Sequence, residues 1–557
     1  MIPRGSRRSP RALGTSAAFV LMVLGQAASL RGEDGKPASK DNKPVGSPGV
    51  TLPGTVGKVG SLDGIIREAW ASANIKPSPA ASDEEFLRRA YLDVLGRIPN
   101  INEARAFLAS GRDPGRRAKL VEYLLDHPDY QKNFANQWKV LLIGRSNQGQ
   151  DVDPKALRDW LRRQFAENRP WNEVAYDLIT ATGNNKENGA ANFVMSHLEG
   201  GAVPLTSITT RVFLGQQIQC TQCHDHPSNS WKQADFWGIN AFLKGIKTER
   251  VRRENATGAT VVDHVEVSDV PTDAFASFDR RDARVGIAFP TFLDGRKVPQ
   301  GPEVKRREAL GTFITEPAND NFPKAFVNRI WAHFLGRGIV NPVDDFGDHN
   351  APSNPELLDA LARDFKTSKY DVKALIRAIM ATEAYALTSM ATKGNEKDES
   401  LFSHMTLKPL TPEQLFDSLL VATSAHKAGG GDDDTRRNNW MRQFQFAFAN
   451  DEEGEGSSFQ GTIPQALMMM NGELMKEATG EKPGSFLAEL LTNARSQGGS
   501  AEAYIVTNLY LAALSRQPNA KELVTSRQYL SQFPDTAKVV EDLFWALLNS
   551  NEFVLNR

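Results

Sequence analysis

The chain has 557 residues and only two cysteines, and both fall inside one pentapeptide, Cys220-Thr221-Gln222-Cys223-His224. With no third cysteine, no long-range disulfide can staple the fold, so its stability must come from packing. Apolar residues make up 40% of the sequence, enough for substantial cores. The same pentapeptide is the attachment signature of c-type haem. Two thiols one helical turn apart add across the two vinyl groups of haem, and the adjacent imidazole reaches the iron. On this reading Cys220 and Cys223 anchor haem c and His224 ligates its iron.

Haem is attached to such motifs outside the cytoplasm, and the N-terminus has the pattern of an export signal. Arg4, Arg7, Arg8 and Arg11 form a basic region, Ala17 to Leu24 an apolar one, and Gly25 to Ser29 a small-residue cleavage zone. The apolar stretch is too short to span a bilayer, and no later stretch approaches the roughly 18 consecutive apolar residues that would. The expectation is a signal peptide over residues 1–29 and an exported, periplasmic chain with no transmembrane anchor after cleavage. Lys and Arg number 66 against 67 Asp and Glu, so no electrostatic bias points to nucleic acid as a partner.

Residues 30–60 are rich in Gly, Pro, Lys and Ser and lack periodicity, which predicts a disordered linker. From Leu62 apolar residues recur at spacings of three and four, as in Phe86, Leu87, Ala90, Tyr91, Val94 and Leu95, predicting a helical domain over residues 61–245. Residues 246–300 carry short β-branched runs such as Thr260-Val261-Val262 and Val285-Gly286-Ile287, the pattern of a β-containing connector. Helical periodicity then holds over 301–557, interrupted by the loop-like run Gly429 to Asp434. The predicted fold is mainly α, two helix-rich domains joined by a short β connector.

An internal repeat links the two ends. Tyr91-Leu92, Leu95, Arg97, Pro99-Asn100 and Glu103 recur as Tyr510-Leu511, Leu514, Arg516, Pro518-Asn519 and Glu522, and each unit later closes on an acid-aromatic pair, Asp129-Tyr130 or Glu552-Phe553. Each reads as a helix, a turn and a second helix with Asn as N-cap and Glu three residues on. Such hairpins cannot bury their apolar faces alone, so the two are expected to pack together or to play equivalent roles.

The stretches FLRRAYLDVLGRIPNINEARAFL and FLGQQIQCTQCHDHP, followed by Trp231, Phe236 and Gly238, resemble the planctomycete cytochrome-type domain of the second class. The later AFVNRIWAHFLGRGIVNPVDDFGDHNAPSNPELLDALARDF, TIPQALMMMNGELM and LFWALLNSNEFVLNR resemble the planctomycete-specific domain of the first class, its common companion. The resemblance implies a cytochrome-like character but brings no established reaction. The chain lacks the separate N-terminal cytochrome domain of many such proteins, which points to partners for any further redox centre.

Three readings of the motif compete: haem, a zinc or iron site using Cys220, Cys223 and His224 or His226, and a bare thiol pair or disulfide. His226 is badly placed to cross to the opposite face of the same haem; it either tunes the site or caps the turn before Pro227. Asp225 and Trp231 belong to the same expected pocket. A sixth iron ligand would come from Met195, His197, His333, His349 or Met468 to Met470, with His197 attractive because it shares the domain and the three methionines suited to core packing. Asp344, Asp345, Asp348 and His349 form the densest polar cluster downstream, in a loop flanked by Pro342 and Pro352. Such a loop binds a cation, lines a cleft, or simply satisfies its own backbone. His333 reads as a packed helix residue. No G-x-S-x-G, H-E-x-x-H or phosphate-binding glycine loop is present. The expected function is mono-haem electron transfer with a redox protein partner, the alternatives being an exported metal- or haem-dependent enzyme and a cofactor-free binding module.

Overall fold

The computed structural model describes residues 59–557 apart from 112, 146–150, 228, 272–274, 283, 300, 428–436, 438, 445–468, 470 and 471. The expected signal peptide, nearly all of the linker, the Gly429 to Asp434 run, Met468 and Met470 lie outside the described residues. The fold is mainly α, as the periodicity predicts. The first segment contains α1 (Val59–Ser72), α2 (Asp83–Leu95), α3 (Ile101–Ala109), α4 (Arg116–Asp126), α5 (Pro128–Ile143), α6 (Pro154–Ala166), α7 (Trp171–Thr180), β1 (Gly183–Asn184), α8 (Ala191–Met195), α9 (Glu199–Leu214) and α10 (Gln233–Ala241). The middle segment is β2 (Ile246–Glu254), β3 (Thr260–Asp269), β4 (Ala276–Asp279) and β5 (Val285–Ala288).

Next come α11 (Arg306–Thr315), α12 (Asn321–Leu335), α13 (Pro355–Thr367), α14 (Val372–Met380), α15 (Glu383–Ala386), β6 (Lys408–Pro409) and α16 (Pro412–Thr423). The last segment holds α17 (Glu473–Thr479), α18 (Phe486–Ala494), α19 (Ala501–Leu514), α20 (Ala520–Gln532), α21 (Thr536–Leu548), α22 (Asn551–Val554) and β7 (Leu555–Asn556). No described helix is long and apolar enough to cross a membrane.

Local chemistry sets the boundaries of the repeated hairpin. Ser82 Oγ accepts from Glu85 N at 3.2 Å, and Asp83, Glu84 and Glu85 complement the dipole at the start of α2. Gly96 ends it in the left-handed region at φ 71°. Asn100 and Glu103 then form a reciprocal capping box at the start of α3, as the sequence predicts. The second copy repeats this: Ser515 ends α19 at φ 60°, and Asn519 and Glu522 box the start of α20.

The β connector is two antiparallel pieces. β3 is central, with β2 on one side (Thr248↔Val267) and β1 on the other (Gly183↔Val267), while β4 and β5 form a separate hairpin (Ala276↔Ala288). β1 is a two-residue strand that no sequence run announces.

One apolar core runs across the stretch read as a connector, uniting Leu62 to Leu243 with Leu310 to Met405. Its centre is an aromatic stack from both sides: Trp171 lies 4.5 Å from Phe326, Trp138 5.5 Å from it, and Phe365 5.0 Å from it on parallel planes. A second core collects Leu410 to Phe553 and takes in Leu92 and Ile98 from the first hairpin. The two meet at Asp93. Its carboxylate receives Lys408 Nζ and Asn556 Nδ2 at 2.7 Å and the Tyr385 hydroxyl at 2.9 Å, and its carbonyl receives His333 Nε2 at 2.8 Å. Lys408 also donates to the carbonyls of His333 and Phe334. This ion pair is nearly dry, and its geometry meets the condition for a buried pair to hold: each charge is hydrogen-bonded on several sides.

Candidate functional site

The cysteine motif sits on a turn held from behind. α9 ends at Gly215 (φ 66°), Ile218 and Thr221 are fully buried, and Gln219–Gln222 form a short 3₁₀ turn. Thr221 pins that turn through its N–H and hydroxyl, both donated to the Ile218 carbonyl at 2.9 and 2.6 Å. Burying Thr221 turns Cys220 and Cys223 outward, and both are exposed free thiols. From α10, Gln233 Nε2 and Trp237 Nε1 each donate to the Gln222 carbonyl at 3.1 Å, while the Trp237 ring stacks on Phe278 of β4 at 5.6 Å.

His224 Nδ1 lies 2.7 Å from the Asp225 carbonyl. A carbonyl only accepts, so Nδ1 carries a proton, and in the neutral ring Nε2 keeps the lone pair. This is the orientation that a metal-ligating histidine requires. The Gln233 backbone N–H, joined by Lys232, holds the exposed Asp225 carboxyl below the usual carboxylate range.

The polar cluster of the later segment lies against this turn. Phe346 N donates to the Gly215 carbonyl at 2.8 Å, and a Cβ on Gly215 would come within 2.4 Å of the Phe346 ring, so only glycine permits the approach. A Cβ on Gly347 would come within 2.7 Å of Asn229 Nδ2. The His226 and His349 rings are 6.1 Å apart, centroid to centroid. His349 Nε2 donates to Asp345 at 3.0 Å, and Asn350 Nδ2 to the Asp345 carbonyl at 2.9 Å. Asp344 serves the fold instead, buried and paired with Arg329, with Arg211 of α9 at 3.9 Å. Asp348 is exposed. The cluster is thus divided, Asp344 locking two segments together while Asp345 holds His349, whose ring meets His226.

The other candidate ligands are engaged elsewhere. His197 donates from Nε2 to the Leu142 carbonyl at 2.7 Å and packs edge-on against Phe193, and burial pushes its pKa down. His333 is sequestered at Asp93, its pKa likewise lowered by burial. Met195 packs on the first core and Met469 is buried in the second. His349 alone among the described candidates reaches the motif loop. Among the described residues, no group of three or more His, Cys, Asp or Glu side chains is assembled to hold a metal ion. The donors present at the turn are two outward thiols and a neighbouring imidazole, the set that covalent haem would use. The meeting of His226 with His349 was not legible in sequence; the paired glycines Gly215 and Gly347, where backbones must approach, were its signal.

Residues 61–248 match the model of the family PSCyt2, described as a protein of unknown function (DUF1549). Residues 306–442 match that of PSD1, also described as a protein of unknown function (DUF1553). The two domains suggested by the sequence motifs are therefore present, in that order. No curated protein and no solved structure matches the chain.

Proposed function

We propose that the chain is an exported cytochrome-like protein that carries one covalent haem and transfers electrons to or from a redox protein partner. Cys220 and Cys223 would hold the haem by thioether bonds and His224 would ligate its iron; when bound, haem supplies one-electron exchange at that iron. The observation that carries the reading is the His224 ring, whose Nδ1 is tied to the Asp225 carbonyl so that Nε2 is the nitrogen left to coordinate. Export rests on the basic, apolar and small-residue sequence of residues 4–29.

The test is a pyridine haemochrome spectrum with metal analysis on the mature chain, produced in a periplasm with active c-haem maturation, beside a Cys220→Ala, Cys223→Ala double variant. One equivalent of covalent haem, lost in the variant, is the expected result. Haem-free protein overturns the reading; one equivalent of zinc or iron in its place favours a metal-dependent enzyme, and no metal a binding module.

The contact between His226 and His349 favours a second reading, catalysis at the same place, with Asp345 orienting His349 beside the motif. Electron transfer predicts a six-coordinate, low-spin haem indifferent to added azide. Catalysis predicts an open position and a spectrum that shifts with azide.

A further inference from the structure

A cleft of about 610 Å³ opens between the polar faces of α5 and α6 and the outer side of α16, away from the cysteine turn. Its volume is that of a small-ligand site. The side chains at its walls form two similar triads in which one carboxylate is shared by two cations. Lys132 Nζ and Arg437 Nη2 take the two oxygens of Asp417 at 2.9 and 2.6 Å. Lys155 Nζ and Arg158 Nη2 take those of Asp159 at 2.7 and 3.4 Å.

Each triad has one positive charge in excess. The two remaining wall carboxylates are committed: Asp153 caps α6 by accepting from Ala156 N at 2.9 Å, and Glu413 is held by Arg145 at 3.2 Å. Arg162, one turn along α6 from Arg158 and on the same face, is exposed with no carboxylate partner among the described residues. Positive charge is therefore carried by α5 (Lys132), by α6 (Lys155, Arg158 and Arg162) and by Arg437, which is tied to α16 through Asp417, around a concave space where walls of low dielectric concentrate the field.

We infer that this cleft binds a small ligand carrying two or more anionic groups, whether phosphate, sulfate or carboxylate. Two spaced anionic groups would neutralise the two triads, and Arg162 would supply a planar fork for one of them. Binding would draw α6 of the first core toward α16 of the second.

The test is isothermal titration of the full mature chain at low ionic strength with tripolyphosphate, citrate and a sulfated disaccharide, whose relative affinities identify the group preferred. Saturable one-to-one binding is expected for at least one probe, weakened about tenfold or more in a Lys155→Glu, Arg162→Glu double variant. Both side chains are exposed, so the variant should melt as the parent does. An Arg252→Glu, Arg253→Glu variant on the exposed β2 strand makes the same change in net charge and should bind as the parent. Absence of saturable binding to all three probes, or equal weakening in the β2 variant, overturns the inference.

Discussion

The first and last helical hairpins are built around the same charge knot but serve different ends. In the first, Arg97 reaches Asp129 through Nε at 2.8 Å and Glu103 through both terminal nitrogens at 2.8 and 3.0 Å. In the second, Arg516 reaches Glu552 through Nε at 2.6 Å and Glu522 at 2.8 and 2.9 Å. Even the aromatic shelf is repeated, Tyr91 lying 5.5 Å from the Arg97 guanidinium and Tyr510 5.3 Å from that of Arg516. The hairpins also touch: Arg88 of α2 donates to the carbonyls of Ala513 and Phe553 at 3.0 and 2.7 Å, and Arg105 of α3 bonds Asn508 of α19. The second copy, however, contributes to the second core alone, through Tyr510, Leu514 and Phe553, whereas the first gives Phe86, Tyr91 and Val94 to one core and Leu92 and Ile98 to the other. A motif that fills space in one place is a joint in the other, and the joint tolerates less.

Replacing each knot arginine should show this most strongly. Arg97→Leu leaves Glu103 and Asp129 facing each other without their cation and should cost about 3–5 kcal/mol in urea unfolding. Arg516→Leu should cost less, because Arg557 remains paired with Glu552. Equal losses would break the comparison.

The residues that end the first helix of each hairpin come next. A Cβ on Gly96 would lie 2.5 Å from Asn133 Oδ1, and Asn133 is buried and tied to the Asp93 and Val94 carbonyls. Gly96→Ser should cost about 2–3 kcal/mol, from left-handed strain plus disturbed bonds. Ser515→Gly, which relieves a left-handed serine but loosens the unfolded chain, should stay within about 1 kcal/mol of the parent.

The smallest effect concerns pH. The acidic partner of each knot follows a capping residue, His127 before α5 and Ser550 before α22. His127 Nδ1 accepts from Asp129 N at 3.1 Å, which only the neutral ring can do, and burial holds its pKa below the ordinary histidine value. The unfolded chain therefore takes up the proton first, so the stability from this residue is complete above about pH 6.5 and is lost as pH falls below it. His197 and His333, also lowered by burial, add to the same decline. His127→Ser should leave the urea midpoint nearly unchanged at pH 8 and raise it relative to the parent at pH 5, with a flatter slope between.

The sequence made the helical class, both capping boxes and the β runs around Val261 and Ile287 legible, because caps and periodicity are local. It did not reveal which faces meet. Phe326 announces an apolar stripe on its own helix, yet nothing local says that Trp138 and Trp171 complete the stack. The site divides in the same way. The thiols and His224 are read from five residues, whereas His349 meets His226 only because Gly215 and Gly347 let two distant loops touch. Asp344, read with its neighbours as one polar cluster, is separated from them by the burial of a single side chain against Arg329.

The carboxylate of Asp93 has an implication for the order in which the chain can become native. It enters the fold near the end of the second helix, but its partners are Tyr385, Lys408 and Asn556. A chain that had collapsed its first helices before those residues arrived would bury a charge with nothing to oppose it, at a penalty of several kcal/mol. Complete burial of Asp93 therefore requires the late residues, and the contacts that surround it span 292 to 463 positions of sequence, the arrangement that makes folding slow. Such delay suits the export proposed above, in which a chain stays extended while it is handed across a membrane and folds only when all of it has arrived.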